Sequence, residues 1–433
     1  MSFRGRVVAW ARQHQRAAGV GLAVSILALL GIAVFIGWAI FAGSPPTADL
    51  GPSTMPEPSS SVEPTEAATP TPSLSPTAVP APGWTPVAIA GIGRLHGIAE
   101  YDGRLVAVGS SADGSVGSMA TSDDGETWTP VDLLTLDVAT AFFSVGAGES
   151  GFISVVSRYP VGMGIPERSY LYSDDGRTWH EAVPPADCFD GPIERYEEGF
   201  IGLGRRCRTE GDFGQSALHT IFSPDGRSWS SQISEQMLAD SWATDGHRLV
   251  LFQHDPMGQA PAEIWISDDA AQSWYLAGAF PAGVSVGGPL YGHGRYLAAG
   301  SWLIRDGDPD SAVCVSTDGE SWDCEVIPPL NGELDGRQWL ARAIAVTPTG
   351  YASLVEYVLD PFAGGDASTE MVVASSRDGL YWTFELVPEL ANKFPTNLVW
   401  TSYGLFAWGG TNPNLRPGDV SAPYIDVHRA AMP

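Results

Sequence analysis

Ser122-Asp123-Asp124-Gly125-Glu126-Thr127-Trp128 is the stretch on which the fold of this chain turns, because it recurs. Ser173-Asp174-Asp175-Gly176-Arg177-Thr178-Trp179 and Ser223-Pro224-Asp225-Gly226-Arg227-Ser228-Trp229 follow it. Ser267-Asp268-Asp269-Ala270-Ala271-Gln272-Ser273-Trp274 is a variant with one extra residue. Ser316-Thr317-Asp318-Gly319-Glu320-Ser321-Trp322 and Ser376-Arg377-Asp378-Gly379-Leu380-Tyr381-Trp382 complete the set, with successive tryptophans 51, 50, 45, 48 and 60 residues apart. The element reads as a hairpin turn. Its Asp accepts backbone N–H groups, and its Gly supplies the positive φ the turn demands. Ser and Trp face each other across the hairpin, and the Trp is expected to pack on the neighbouring unit. Six copies argue for a structural role, since a catalytic residue needs no repetition.

A second element recurs seven times. Glycines 103, 151, 199, 246, 294, 350 and 404 each open a short apolar strand, 48, 48, 47, 48, 56 and 54 residues apart. Another apolar run precedes each glycine, and a short strand follows each Trp. Four strands per unit of about 48 residues is a propeller blade. The last unit ends after three strands, while Trp84-Thr85-Pro86-Val87 repeats Trp128-Thr129-Pro130-Val131 with no unit before it. Ring closure solves both: Trp84–Ala90 becomes the outer strand of the last blade and hides two sheet edges. The expected fold is all-β, a seven-bladed propeller over residues 84–433. Six blades with a degenerate seventh segment is the alternative.

These repeats resemble the Asp-box (BNR) repeats of sialidases and of many sialidase-like propellers, photosystem II assembly factors among them. The resemblance covers residues 84–433 and is specific for fold rather than chemistry. A catalytic sialidase would bring three Arg for the substrate carboxylate, a Tyr–Glu nucleophile pair, an Asp acid and an Arg-Ile-Pro signature before the first box. Here that region reads Gly93-Arg94-Leu95-His96-Gly97, and catalytic members have six blades. No catalytic residue, cofactor or metal ligand is therefore assigned. The expected role is a binding or scaffolding module, with an exo-sialidase-like glycoside hydrolase as the alternative.

The chain has 433 residues with 50 Asp+Glu against 23 Lys+Arg, a net charge of −27 and a pI near 4.4. Such a balance excludes nucleic acid as a partner, which needs clustered positive charge. The basic charge at the amino end is concentrated in residues 1–16, with Arg4, Arg6, Arg12 and Arg16 and no acid. Residues 17–42 carry no charge at all. As a helix at ~1.5 Å per residue they span about 39 Å, enough for a ~30 Å hydrocarbon layer with tilt. The positive flank predicts a cytoplasmic amino terminus and an extracytoplasmic propeller at the cell membrane. A cleaved signal peptide is the rival reading, though its apolar region is usually ~7–15 residues. Residues 43–83 form a Pro/Ser/Thr-rich linker, with 11 Pro and 13 Ser/Thr between Ser44 and Gly83 and no aromatic residue. That composition buries no core and is expected to be a disordered stalk.

Four cysteines beyond the apolar segment fit an oxidising compartment. Cys314 and Cys324 are symmetric about Gly319, so they are expected to face each other across one hairpin. Cys188 with Cys207 is the remaining expected pair. Ligands of propellers usually bind beside the loops joining second and third strands, which are long here. Arg205, Arg206 and Arg208 form the densest basic cluster on that expected face, and Trp302 is placed to stack on a sugar. Asp306, Asp308 and Asp310 alternate, but the twelfth position from Asp306 is Thr317 where an EF-hand needs Glu. A glycan or protein is the expected partner on the loop face.

Overall fold

The chain separates into two units, Met1–Thr77 and Ala78–Pro433. The computed structural model describes residues 83–112, 114, 116–133, 141–158, 167–183, 189–206, 217–234, 241–254, 260–302, 310–326, 339–358, 369–390, 395–409 and 427–430, all in the second unit. The expected basic segment and membrane helix fall outside them, as does all of the expected stalk before Gly83. No helix among the described residues is long and apolar enough to cross a membrane.

The strands pair into seven antiparallel sheets. Blade 1 runs from the inside outward through Arg94–Tyr101, Arg104–Ser110, Gly117–Ser122 and Thr129–Pro130. Blade 2 uses Ala141–Gly148, Gly151–Arg158, Glu167–Ser173 and His180–Glu181. Blade 3 uses Ile193–Tyr196, Gly199–Arg206, Leu218–Ser223 and Ser230–Ser234, and blade 4 uses Ser241–Thr244, Leu249–Gln253, Glu263–Ser267 and Tyr275–Ala279. In blade 5, Val284–Val286 and Leu290–Gly292 both pair with Arg295–Trp302, followed by Asp310–Ser316 and Asp323–Val326. Blade 6 is Trp339–Thr347, Gly350–Val358, Thr369–Ser376 and Thr383–Leu386. Blade 7 is Asn397–Thr401, Gly404–Trp408, His428–Ala430 and, from the other end of the domain, Trp84–Pro86.

Ring closure is therefore as expected, with a shorter strand. Trp84, Thr85 and Pro86 pair with Ala430, Arg429 and His428, and Val87 N donates to Val427 O. The rest of the segment does not continue the ladder. Ile89 and Ile92 instead pack into the seam between blades 7 and 1, with Phe406, Trp408 and Leu105.

The core is a circle of seams between blades. Blades 1 and 2 meet through Val106, Val108, Phe142 and Phe152, blades 3 and 4 through Leu203, Trp242 and Leu251. Blades 6 and 7 meet through Leu354, Met371, Leu398 and Leu405, with Trp84 wedged among them. Second strands are buried on both faces because each blade has a neighbour on either side. This explains continuous apolar runs such as Leu105–Val108 where an alternating pattern would mark one wet face.

Innermost strands are irregular. Blades 1, 2 and 6 each carry a bulge, leaving His96, Phe143 and Arg342 without a partner in the ladder. In blades 3 and 5 the inner strand is broken at Gly191-Pro192 and Gly287-Gly288-Pro289, where a proline has no N–H for the ladder.

Candidate functional site

The repeated turn is built from its own side chains. In blade 1, Ser122 Oγ accepts Gly125 N at 2.8 Å, and Asp124 Oδ1 accepts Glu126 N at 2.8 Å and Thr127 N at 2.6 Å. Ser122 Oγ donates to the same carboxylate at 3.0 Å. Gly176, Gly226, Gly319 and Gly379 repeat the glycine bond at 2.8, 2.8, 2.8 and 2.9 Å. The glycines take φ of +70° to +80°. Each also lies against the preceding blade: a Cβ on Gly226 would stand 2.3 Å from Ile153 Cδ1, and one on Gly379 2.4 Å from Leu297 Cδ1.

The tryptophans pack on the preceding blade, as expected. Trp128 meets Phe406 edge-on, Trp229 tilts over Tyr170, and Trp322 contacts Phe252 and Phe280. In four copies the indole N–H also donates to the turn glycine's carbonyl.

Hydrogen bonds to Thr127 and Glu126 hold the Asp124 carboxyl down at about 2. Asp318 is lowered too, chiefly by the Ser321 N–H. Burial alone would raise Asp175, Asp269 and Asp378, and hydrogen bonds within their turns overcome it. In each of these turns one carboxylate oxygen, Oδ1, is committed to backbone N–H groups of the fold.

Cys314 and Cys324 stand opposite each other in one hairpin and form a disulfide with a Cα separation of 4.0 Å. Cys188 and Cys207 lie outside the described residues, as do Arg208, Asp306 and Asp308. Arg205 and Arg206 end the second strand of blade 3, opposite Asp190 and Phe189. Trp302 ends the second strand of blade 5, opposite Val284 and Asp310. These three backbone positions lie at the loop end of their blades. Most of the loops themselves fall outside the described residues.

A cavity among the described residues opens at the other end of the ring, where first and second strands are joined by tight turns. It measures about 1200 Å³. The turns of blades 2, 3 and 4 form its rim through Glu149, Glu197, Glu198, Asp245 and His247. Tyr291 of blade 5 reaches the same space. Glu194, in the middle of the inner strand of blade 3, lines the wall. It retains some exposure to the cavity but is surrounded by protein, and this burial pushes its carboxyl up to about 7. Among the described residues no hydrogen bond or ion pair reaches it. The neighbouring Arg195 turns the opposite way and pairs with Glu149. Asp245 accepts the N–H groups of His247 and Arg248 at 2.8 and 2.7 Å, and Glu197 lies 4.0 Å from His247 Nδ1.

A second pair escaped the sequence reading. Arg342, at the bulge of blade 6, binds the carboxylate of Glu356 through both Nε and Nη2. The Glu356 side chain is only 5% exposed, against 38% for Arg342. The lone acid in the apolar run Leu354-Val355-Glu356 was the available signal, as was Glu194 two residues before a buried Tyr.

No family model matches the chain, and no curated protein matches it. Among solved structures, it is similar to a thermostable family-43 glycoside hydrolase. The match covers 69% of this chain and 94% of the other, with a TM-score of 0.31 and 14% identity. A likeness at that level carries no argument about chemistry.

Proposed function

We propose that this chain is a binding or scaffolding propeller of the sialidase-like, Asp-box kind, displayed outside the cell. In this reading residues 17–42 anchor it in the membrane and residues 43–83 lift it away. The Ser-x-Asp-Gly-x-x-Trp pattern and the hydrogen bonds of its turns support the Asp-box assignment. The observation that carries the binding role is the cavity of about 1200 Å³, preformed by the backbone turns of neighbouring blades. Concave sites on rigid scaffolds are where ligands are usually held. The opposite, loop-bearing end, with Arg205, Arg206, Arg208 and Trp302, is the proposed surface for a glycan or protein.

A sialidase-like glycoside hydrolase is the second reading, favoured by one observation: Arg342 is fixed by a buried carboxylate. One experiment separates them. The full chain, purified in detergent, is incubated with a fluorogenic sialoside and a panel of other glycosides. No turnover is expected. Turnover that persists through purification and is lost in Arg342→Ala would replace the binding role with hydrolysis.

A further inference from the structure

An Asp followed by Gly is chemically predisposed to rearrange. The glycine nitrogen, with no side chain to bar its approach, attacks Cγ of the Asp carboxyl, water leaves, and a five-membered imide forms. Water then opens the imide at either carbonyl. One opening restores Asp, and the other leaves isoaspartate, whose main chain is one methylene longer. The reaction needs a glycine N–H that is free and a carboxyl that can turn towards it. This protein sets the same dipeptide in turns that differ in both respects.

Five Asp-Gly pairs lie in the repeated turns, at Asp124, Asp175, Asp225, Asp318 and Asp378. In each the glycine N–H is taken by the serine Oγ at 2.8 or 2.9 Å. Asp Oδ1 accepts the N–H groups of the two residues after the glycine. Asp245-Gly246, in the first turn of blade 4, is held by the same kinds of bond. Thr244 Oγ1 accepts Gly246 N at 2.9 Å, and Asp245 Oδ1 accepts His247 N and Arg248 N. Asp102-Gly103 has neither. It is the two-residue turn between the paired Tyr101 and Arg104, with φ of +48° and +69°, and both residues are exposed. Two positions before the Asp, where the repeated turns carry Ser, stands Glu100, and Ser402 N and Oγ engage its carboxylate. Among the described residues no acceptor meets the Gly103 N–H and no donor meets the Asp102 carboxylate.

We infer that Asp102 is a modification site that converts spontaneously to isoaspartate, while the serine and aspartate bonds of the repeated turns protect the five Asp-Gly pairs within them. The lowered Asp124 and Asp175 carboxyls act in the same direction, because the departing oxygen leaves as water from the protonated group. The product would lengthen the turn where Tyr403 of blade 7 donates to Gly103 O, on the seam that closes the ring.

Ageing the full chain in oxygen-18 water at neutral pH, followed by trypsin digestion in ordinary water, tests it. Trypsin releases the peptides Leu95–Arg104 and Ser169–Arg177, both ending in Asp-Gly-Arg. The residues after the reacting Asp are therefore identical, and the fold is what differs. Each passage through the imide leaves one heavy oxygen, read by mass spectrometry, and electron-transfer fragmentation separates isoaspartate from Asp. Leu95–Arg104 should label about tenfold faster than Ser169–Arg177, with isoaspartate at position 102, because the less-bonded turn opens more readily. In urea the two peptides should label at similar rates. Ser173→Ala frees the Gly176 N–H and should speed labelling at Asp175, in a chain whose melting temperature shows that it folds. Asp102→Glu, whose imide would need a six-membered ring, should not label at that position. Equal labelling of the two peptides in the folded chain, or no label at Asp102, would overturn the site. A tenfold gap that persists in urea would overturn the role of the turn bonds, as would unchanged labelling of Asp175 in folded Ser173→Ala.

Discussion

Five blades close their outer hairpin with one turn, and blade 4 closes it with another. In blades 1, 2, 3, 5 and 6 a glycine at φ of +70° to +80° follows the Asp. In blade 4 the extra residue puts Ala270 and Ala271 there, at φ +56° and +66°. The polar bonds survive the insertion. Ser267 Oγ accepts Ala271 N at 2.9 Å, and Asp269 Oδ1 accepts Ser273 N at 2.8 Å. The change lies at the glycine position, where a methyl group packs beside Tyr196 and Ile201 of blade 3 and other turns allow no Cβ. The Trp274 indole N–H has no hydrogen-bond partner among the described residues, a feature it shares with Trp128 of the blade 1 glycine turn. Ser and Asp thus define the turn, while the glycine answers to the proximity of the preceding blade as much as to φ.

The largest test of that difference is removal of the tryptophans. Trp229→Ala should cost about 3–5 kcal/mol, since the ring is 7% exposed between Tyr170 and Phe200. Trp274→Ala should cost about 1 kcal/mol less, lacking the indole hydrogen bond. Urea unfolding monitored by circular dichroism measures both, and equal losses would mean that the indole bond contributes nothing.

Glycine exchange comes next. Gly226→Ala should destabilise by roughly 2–4 kcal/mol, from positive φ together with the clash on Ile153. Ala270→Gly should stabilise by about 1 kcal/mol, relieving the left-handed backbone. A loss on Ala270→Gly would show that the alanine is held there by packing rather than tolerated.

Acid separates the turns from the cavity. Asp124, Asp175, Asp269, Asp318 and Asp378 have folded values below their unfolded ones, so their contribution is full above about pH 4 and is lost as pH falls towards 2. The urea midpoint should therefore drop between pH 4 and pH 2.5. Asp269 is lowered as well, so blade 4 should not fail first by hydrogen exchange. Glu194 runs the other way. Its raised value favours the fold below about pH 4.5, and that advantage disappears as pH rises through about 7. Glu194→Gln should raise the melting temperature at pH 8 and leave it unchanged at pH 4.5.

The smallest effect belongs to the links between turns of adjacent blades. Arg104 pairs with Asp123 at 2.7 Å and donates to Asp175 O at 2.6 Å in the next blade. Arg248 makes the equivalent reach from blade 4 to Asp318 O. Arg104→Ala should cost no more than about 1 kcal/mol, because the pair is partly solvated. A larger loss would mean that these links, and not the tryptophans, hold the seams.

The repeat count and the Cys314–Cys324 pairing were legible because each follows from local spacing, and the ring closure by Trp84 because the strand count leaves the last unit one strand short and the first segment one over. A hairpin symmetric about Gly319 places its cysteines opposite each other whatever surrounds it. The boundaries were less legible. Trp84–Ala90 reads as one strand, but only Trp84–Pro86 pairs, because Ile89 and Ile92 are drawn into the seam beside blade 1. The cavity was not legible at all. Glu149, Glu194 and Asp245 lie about 50 residues apart and look like three ordinary acids.

By itself, the sequence determined what depends on neighbours along the chain: the turn chemistry, the four-stranded unit, the number of units and the strand borrowed from the amino end. Tertiary structure alone decided what depends on neighbours across the ring. Curving seven blades about one axis brings the inner strands and their turns together, and that encloses Glu194 without a partner. A carboxylate's cost or use is set by the water removed from around it and the charges that face it, and neither quantity is written in the order of residues.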